Sequence, residues 1–538
     1  MSDHKNIFQY HNNSKHHYHS FSPSPGYMDW DSQPDPFRKY EGADTISLKK
    51  IPQAERPFFS EALKGSLLDS SQVNFDSISQ LFYDSLAISA WKSYQGTKWA
   101  LRVNPSSGNL HPTESYLISG PIKGLTNSPI ISHYSPLNHS LEIRASFPDE
   151  LWKKIVKGVP DNTLFIGLSS IYWRESWKYG LRAFRYCHHD IGHAIAAINF
   201  SCACLGWNTN LVSHFSTKDL ECILGLVNAN ENEEEVADCI IAIIPNQWRS
   251  EINISNQFIA DDFLKLTWHG LPNILSSDHV KWGGIQEVSK SCEKPLTGSN
   301  INLGGGLKGL SDLLDNDTYS LQKAIHQRRS AVSMDKKTRI DRSTLYQFLV
   351  KVSPQLNPTP FQSLPWEPQV HLGLFIHRVN DMPAGLYFLV RNKNHLEELR
   401  NKFKKEFLWE KPDFCPEDLD LFLLKGGDYQ AISKSVSCGQ DIAGDGCFSL
   451  GMISAFEKPL IQYGSWFYPR LFWECGAIGQ VLYLQTEVSG IRSTGIGCFF
   501  DDPVHDIFGI EDMSYQSLYH FTIGGPVEDK RLTTLPPY

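Results

Sequence analysis

Apolar residues recur at Ile191, Ile195, Ile198, Cys202 and Leu205, and again at Leu471, Cys475, Ile478 and Leu482. Steps of three and four place each set on one helix face, so the pattern predicts two long buried helices. Short β-branched and aromatic runs read as strands. The clearest are SYLISG (115–120), CIIAII (239–244) and VHLGLFIHRV (370–379). Strands kept apart from long buried helices imply an α+β layer fold.

The two helices sit in matching surroundings. Each is introduced by an aromatic, basic stretch, WKYGLRAFRYC (177–187) and WFYPRLFWEC (466–475). Each is followed by a segment that aligns with the other without a gap, GWNTNLVSHFSTKDLECILGL (206–226) and GIRSTGIGCFFDDPVHDIFGI (490–510). Gly206 pairs with Gly490, Phe215 with Phe499, Ile223 with Ile507 and Gly225 with Gly509. Earlier, HYSPLNHSLE (133–142) answers YFLVRNKNHLE (387–397). Two diverged copies of one domain are expected, forming a pseudo-symmetric intramolecular dimer. The boundaries read as an N-terminal arm over 1–50, a first domain over 51–285, a linker over 286–310 and a second domain over 311–538. The linker rests on SKSCEKPLTGSNINLGGGLKG (289–309). Its glycines 304–306 lack GxxxxGK spacing and a preceding strand, so they are no phosphate loop.

A length of 538 residues suits two cores rather than one. Hydrophobic residues at 41% and charged residues at 20% are globular rather than disordered values. A net charge of −9 without a basic stripe argues against nucleic acid as a partner. No apolar run is long enough for a bilayer, and the polar start MSDHKNIFQYHNN is no secretory signal. A cytoplasmic protein without membrane contact is expected. The 11 cysteines include no CxxC pair and read as reduced, buried side chains. His11, His16, His17 and His19 lack an accompanying Cys or carboxylate ligand pattern, so no metal site is assigned. The arm is expected to be extended and to pack through Tyr27, Trp30 and Phe37. Neither HExxH nor GxSxG occurs.

Three segments carry candidate chemistry. RVNPSSGNLHPTESYLI (102–118) is a loop of turn formers leading into a strand. Its Pro105, Ser106, Ser107 and Asn109 supply small hydrogen-bonding groups, and Gly108 permits close backbone approach. HQRRSAVSMD (326–335) offers Arg328 and Arg329 beside Ser330, a set suited to gripping a phosphate. STGIG (493–497) leaves the second long helix with backbone N–H groups at Gly495 and Gly497 that suit a heterocycle or an anion.

Together these segments resemble the nitroreductase superfamily, and within it the SagB-type dehydrogenases. TKWALRVNPSSGNLHPTESYLI and KYGLRAFRYC are the closest matches. The resemblance implies FMN held between two protomer-like halves. Arg328, Arg329, Ser330 and a late basic residue, Lys530 or Arg531, would hold its phosphate. The loop carrying Pro105, Ser106, Ser107 and Asn109 would come from the other half, with Gly495 and Gly497 near the reactive ring. The first copy lacks an Arg-Arg-Ser, and the second reads SLPWEPQVHL (363–372) where its serine-asparagine loop belongs. Ser213 stands where Gly497 would be matched. The expectation is therefore one composite FMN site per chain. Lys178 and Tyr179 resemble a catalytic Lys-Tyr pair, in which a lysine of depressed pKa, or a tyrosine lowered by an adjacent ammonium, takes a proton while flavin takes hydride. Substrates implied are small molecules or modified peptides: azoline-type rings oxidised with oxygen as acceptor, or nitro and quinone acceptors reduced by NAD(P)H. The alternative is a non-catalytic, partner-binding scaffold of degenerate domains.

Overall fold

The computed structural model describes residues 2–64, 68–226, 233–245, 260–297 and 317–538. Each half of the chain builds one large antiparallel sheet. The first runs Thr45–Ser47, Ser140–Ser146, Ile130–Ser135, Thr113–Ser119, Leu164–Ile171, Glu235–Ile244, Asn208–Val212. The second runs Leu421–Gly426, Gly385–Leu389, Val370–Ile376, Phe448–Ala455, Tyr515–Gly524, Arg492–Ile496. With the edge strand Thr45–Ser47 set aside, both sheets have the same order: third, second, first, fourth, sixth, fifth along their own half. All three strand expectations fall on these sheets.

Alternation along the strands makes the layers. Ile166, Leu168, Ile241 and Ile243 face inward to a core shared with both long helices, Ala183–Cys204 and Tyr468–Val488, and with Leu450, Met452 and Phe521 of the second sheet. Phe165, Ile240 and Ala242 face outward and are covered by Asp149–Ile155 and Thr217–Leu224. Leu396–Lys402 and Asp501–Phe508 cover the outer face of the second sheet in the same way. Thr217–Leu224 and Asp501–Phe508 both end on a left-handed glycine, Gly225 (φ 69) and Gly509 (φ 85), which is why those two positions match in sequence.

The two long helices cross through glycine. A Cβ on Gly192 would lie 2.2 Å from the Trp473 carbonyl oxygen, and one on Gly476 would lie 2.2 Å from that of His189. On the register that pairs Gly206 with Gly490, Gly192 pairs with Gly476. The chain also closes on itself. The strand Thr533–Leu535 leaves the second half and pairs with Ile88–Tyr94 of the first.

Two expectations need correction. The arm opens with a helix, Ser2–Asn13, that seats Ile7, Tyr10 and His11 in the core. The one-turn spacing of Ile7 and Tyr10 gives that helix an apolar face. Phe37 is buried as expected, whereas Tyr27 and Trp30 are 79% and 66% exposed. Residues 286–297, expected to open a linker, instead pack on the first half. Gly283–Ser291 is helical, and Lys294 Nζ donates to the Phe215 carbonyl at 3.0 Å. Residues 298–316, with glycines 304–306, lie outside the described residues. Among the described residues no helix is long and apolar enough to cross a membrane, and no cluster of His, Cys, Asp and Glu suits a metal ion.

Candidate functional site

A cavity of about 910 Å³ opens between the two halves. The first half lines it with the loop over 104–109, with Tyr179, and with Tyr186, Asp190 and His193 of the first long helix. The second half contributes Arg328, Arg329, Ser330, Tyr483, Glu487, Arg492, Gly495, Gly497, Cys498 and Tyr519. Lys92, Leu532 and Thr534 close one edge.

The loop over 104–109 is braced from below. Ser107 donates to Asp190 Oδ1 through its backbone N–H (3.1 Å) and its hydroxyl (3.2 Å). Asn109 is turned inward: its amide donates to the Ala100 carbonyl at 2.8 Å, and its Oδ1 meets His111 Nε2 at 3.0 Å. It therefore shapes the loop. Gly108 has φ 59, and a Cβ there would lie 2.5 Å from the Tyr179 hydroxyl, so the tyrosine closes directly over the glycine.

Arg328, Arg329 and Ser330 cap the helix Leu321–Gln327 and lie beside the strand Arg492–Ile496, where Ala331 N–H donates to the Ser493 carbonyl. Arg328 is buried, with its guanidinium 4.9 Å from the Tyr483 ring centroid. Its Nε meets no protein acceptor among the described residues. Burial lowers its pKa; burial, and then Arg328, bring Arg329 down to about 10. Lys92 is lowered by burial and then by Arg329. Cations crowded at one end of a cavity, one of them with an unsatisfied buried N–H, suit an anionic ligand.

Both glycines line the cavity as expected, but one of them is engaged by the protein itself. Gly495 N–H donates to the Tyr483 hydroxyl at 3.0 Å, so it is not free for a ligand. A Cβ on Gly495 would lie 2.0 Å from the Tyr519 hydroxyl, and one on Gly497 would lie 2.4 Å from the Tyr186 ring. Both glycines leave room for tyrosine rings that wall the cavity.

Three further expectations are redirected. Arg531 is 73% exposed and chelates Asp529 two residues away, outside the cavity lining. Lys530 is exposed as well. Arg492 and Lys92 occupy the place foreseen for a late basic residue. Lys178 also lies outside the lining, with Nζ 5.2 Å from the Tyr179 ring centroid. Tyr179 lines the cavity, but burial and then the Glu175 charge raise its pKa well above the ordinary value. It is a hydroxyl donor at neutral pH, and the lowered phenol expected from the lysine is not formed.

The group poised near neutrality is Asp190. Burial pushes its carboxyl up to about 7, against the hydrogen bonds that favour its charged form. Asp190, Tyr186, Tyr483, Tyr519 and Arg492 escaped the sequence reading. Only the HD pair at 189–190, polar residues inside an apolar helix pattern, signalled one of them.

The counterpart site is closed. On the Gly206–Gly490 register, Gly495 corresponds to Leu211, Gly497 to Ser213 and Tyr186 to Arg470. Leu211, Ser213, Arg470, Pro365 and Trp366 surround a void of only about 20 Å³.

The chain is similar over its whole length to a crystal structure from Anabaena variabilis named as a candidate nitroreductase. The identity is 20% and the TM-score 0.66, covering 97% of this chain and 99% of that one. The chain has the nitroreductase-like α+β fold. Weaker likenesses are to a candidate nitroreductase from Ralstonia eutropha and to the Escherichia coli microcin synthetase McbBCD complex with truncated pro-MccB17 bound. The first is 15% identical with TM-score 0.28, covering 44% of this chain and 99% of that one. The second is 15% identical with TM-score 0.27, covering 33% and 65%. No family model and no curated protein matches the chain.

Proposed function

We propose that the chain is an FMN-dependent oxidoreductase made of two fused nitroreductase-like domains with one composite flavin site. The observation that carries this reading is the cavity of about 910 Å³ that joins Arg328, Arg329 and Ser330 of the second half to the loop over 105–109 of the first. The residues fit the group. Arg328, with Arg329, Arg492 and Lys92 around it, would hold the phosphate. The space between the loop and Tyr186, Tyr483 and Tyr519 would take a planar ring system. The shared strand order and the matched Gly192 and Gly476 support duplication. The side chains filling the counterpart site support one flavin rather than two.

Bound FMN would supply two-electron hydride chemistry, and the protein would supply position, exclusion of water and a place for a proton. Asp190 is placed to accept that proton and Tyr179 to donate a hydrogen bond to a substrate heteroatom. This pairing favours a small-molecule or modified-peptide substrate whose C–H bond is oxidised, with oxygen as the electron acceptor. The test is the visible spectrum of the purified chain, with released flavin quantified. About one FMN per chain is expected. A ratio near two would overturn the composite site, and a colourless protein that ignores added FMN would overturn the enzyme.

A further inference from the structure

The chemistry proposed above leaves two neighbouring cysteines unused, one of them on the cavity wall. Cys498 lines the cavity just beyond the strand Arg492–Ile496, and Cys438 lies in the turn after the helix Gln430–Val436. Their sulfur atoms are 2.8 Å apart, well inside ordinary nonbonded contact, and both side chains are free and half-buried. The two segments are already tied together, since Gln440 Nε2 donates to the Cys498 carbonyl at 3.0 Å and to that of Ser437 at 2.9 Å.

We infer that Cys438 and Cys498 form a redox-active dithiol that exchanges with low-molecular-weight disulfides entering through the cavity. Such exchange needs a thiolate, a second thiol within bonding reach and a path for the reagent. The cavity provides the path, and the sulfur contact provides the second thiol. The hydrogen bond with Cys438, helped by the His16 ring and the Arg182 guanidinium, holds Cys498 below the ordinary thiol value against the effect of burial. The same contact raises Cys438, which keeps its proton. Asp501 is the charged neighbour that disfavours a Cys438 thiolate, and it is committed to Arg182 and Arg185.

The roles divide accordingly. The Cys498 thiolate attacks one sulfur of the external disulfide RSSR, a mixed disulfide forms, and one RS⁻ leaves. Cys438 then loses its proton and attacks the Cys498 sulfur, and the second RS⁻ leaves. Two protein thiols are oxidised to one disulfide by two electrons, RSSR is reduced to two RSH, and the protons come from the two cysteines. The product would lock the turn at 437–440 to the wall at 497–498. None of these steps uses a flavin, so the inference stands apart from the proposed oxidoreductase activity.

The test incubates the reduced full-length protein with glutathione disulfide, counts thiols after denaturation and maps disulfides by peptide mass spectrometry. Loss of two thiols per chain is expected, mapped to a Cys438–Cys498 bond and reversed by dithiothreitol. Cys438→Ser should accumulate a mixed glutathione disulfide at Cys498, and Cys498→Ser should react at neither position. Retention of all thiols in the wild type, or loss mapped to other cysteines, overturns the inference. The wild-type map decides the matter even where a variant fails to fold.

Discussion

A carboxyl group buried without a paired cation holds its proton late, and Asp190 is such a group. Its folded pKa of about 7 lies above the ordinary 3.8. The stability it contributes is therefore complete below about pH 4 and is lost as pH rises through 7. Asp190→Asn removes that dependence. Denaturant midpoints measured from pH 4 to 8 should show the variant gaining on the wild type as pH rises, with the gain levelling off above about 7. A constant difference would mean that Asp190 titrates normally. Turnover should lose its rise near pH 7 in the same variant. Arg328→Ala is the companion test at the other end of the cavity. A charge-assisted hydrogen bond is worth roughly 1.5–3 kcal/mol, so FMN affinity measured by fluorescence quenching should fall about ten- to a hundredfold. Unchanged affinity would move the phosphate elsewhere. At this scale the sequence was readable where the chemistry is contiguous, as in Arg328-Arg329-Ser330 and the loop over 105–109. It was unreadable where side chains meet across the fold, as Asp190, Tyr483 and Tyr519 do. Arg531 misled because sequence position carries no direction: Asp529, two residues away, captures it.

At the scale of elements, the long helices were legible because three-to-four spacing of Ile191, Ile195 and Ile198 survives any tertiary context. Their crossing point was not, since a glycine within a helix gives no periodic signal. Gly476→Ala separates two opposing effects. Alanine is the better helix former by about 1 kcal/mol. The added methyl, however, would lie 2.2 Å from the His189 carbonyl oxygen and 2.8 Å from Gly192 Cα. Those are backbone atoms that cannot rotate away, and overpacking costs roughly 1–3 kcal/mol even where side chains can adjust. The clash should win. Net destabilisation of about 2 kcal/mol or more is expected from urea unfolding, together with weaker FMN retention, because both helices wall the cavity. A neutral or stabilising outcome would mean that the helices can part at no cost. Gly192→Ala should behave alike, since its methyl would meet the Trp473 backbone at the same distance.

At the scale of the molecule, the halves are joined by more than the helix crossing. The C-terminal strand Thr533–Leu535 extends the Ile88–Tyr94 and Thr97–Arg102 hairpin of the first half. Beyond it Trp91 Nε1 donates to the Pro537 carbonyl at 2.8 Å, and the Tyr538 hydroxyl donates to that of Pro136 at 2.6 Å and accepts from Ile88 N–H at 3.0 Å. The repeat in the sequence announced two similar domains, but this exchange has no local pattern: three exposed residues of a tail find an edge strand more than four hundred positions earlier only after both sheets exist. The same tail lines the cavity through Thr534. Removing residues 533–538 should therefore act twice. Stability should fall by a few kcal/mol, at about 1 kcal/mol for each of these three part-buried hydrogen bonds and less for the exposed one from Lys92 Nζ to Thr534 Oγ1, read as a lower melting temperature. Flavin retention should fall too, because the hairpin edge that carries Lys92 on the cavity rim loses its partner. Added FMN should then recover part of the lost melting temperature, since a ligand that binds only the folded state stabilises it in proportion to its free concentration over Kd. A truncated chain that melts and retains flavin like the parent would show that the exchanged strand is dispensable and that the halves hold the cavity through the helices alone.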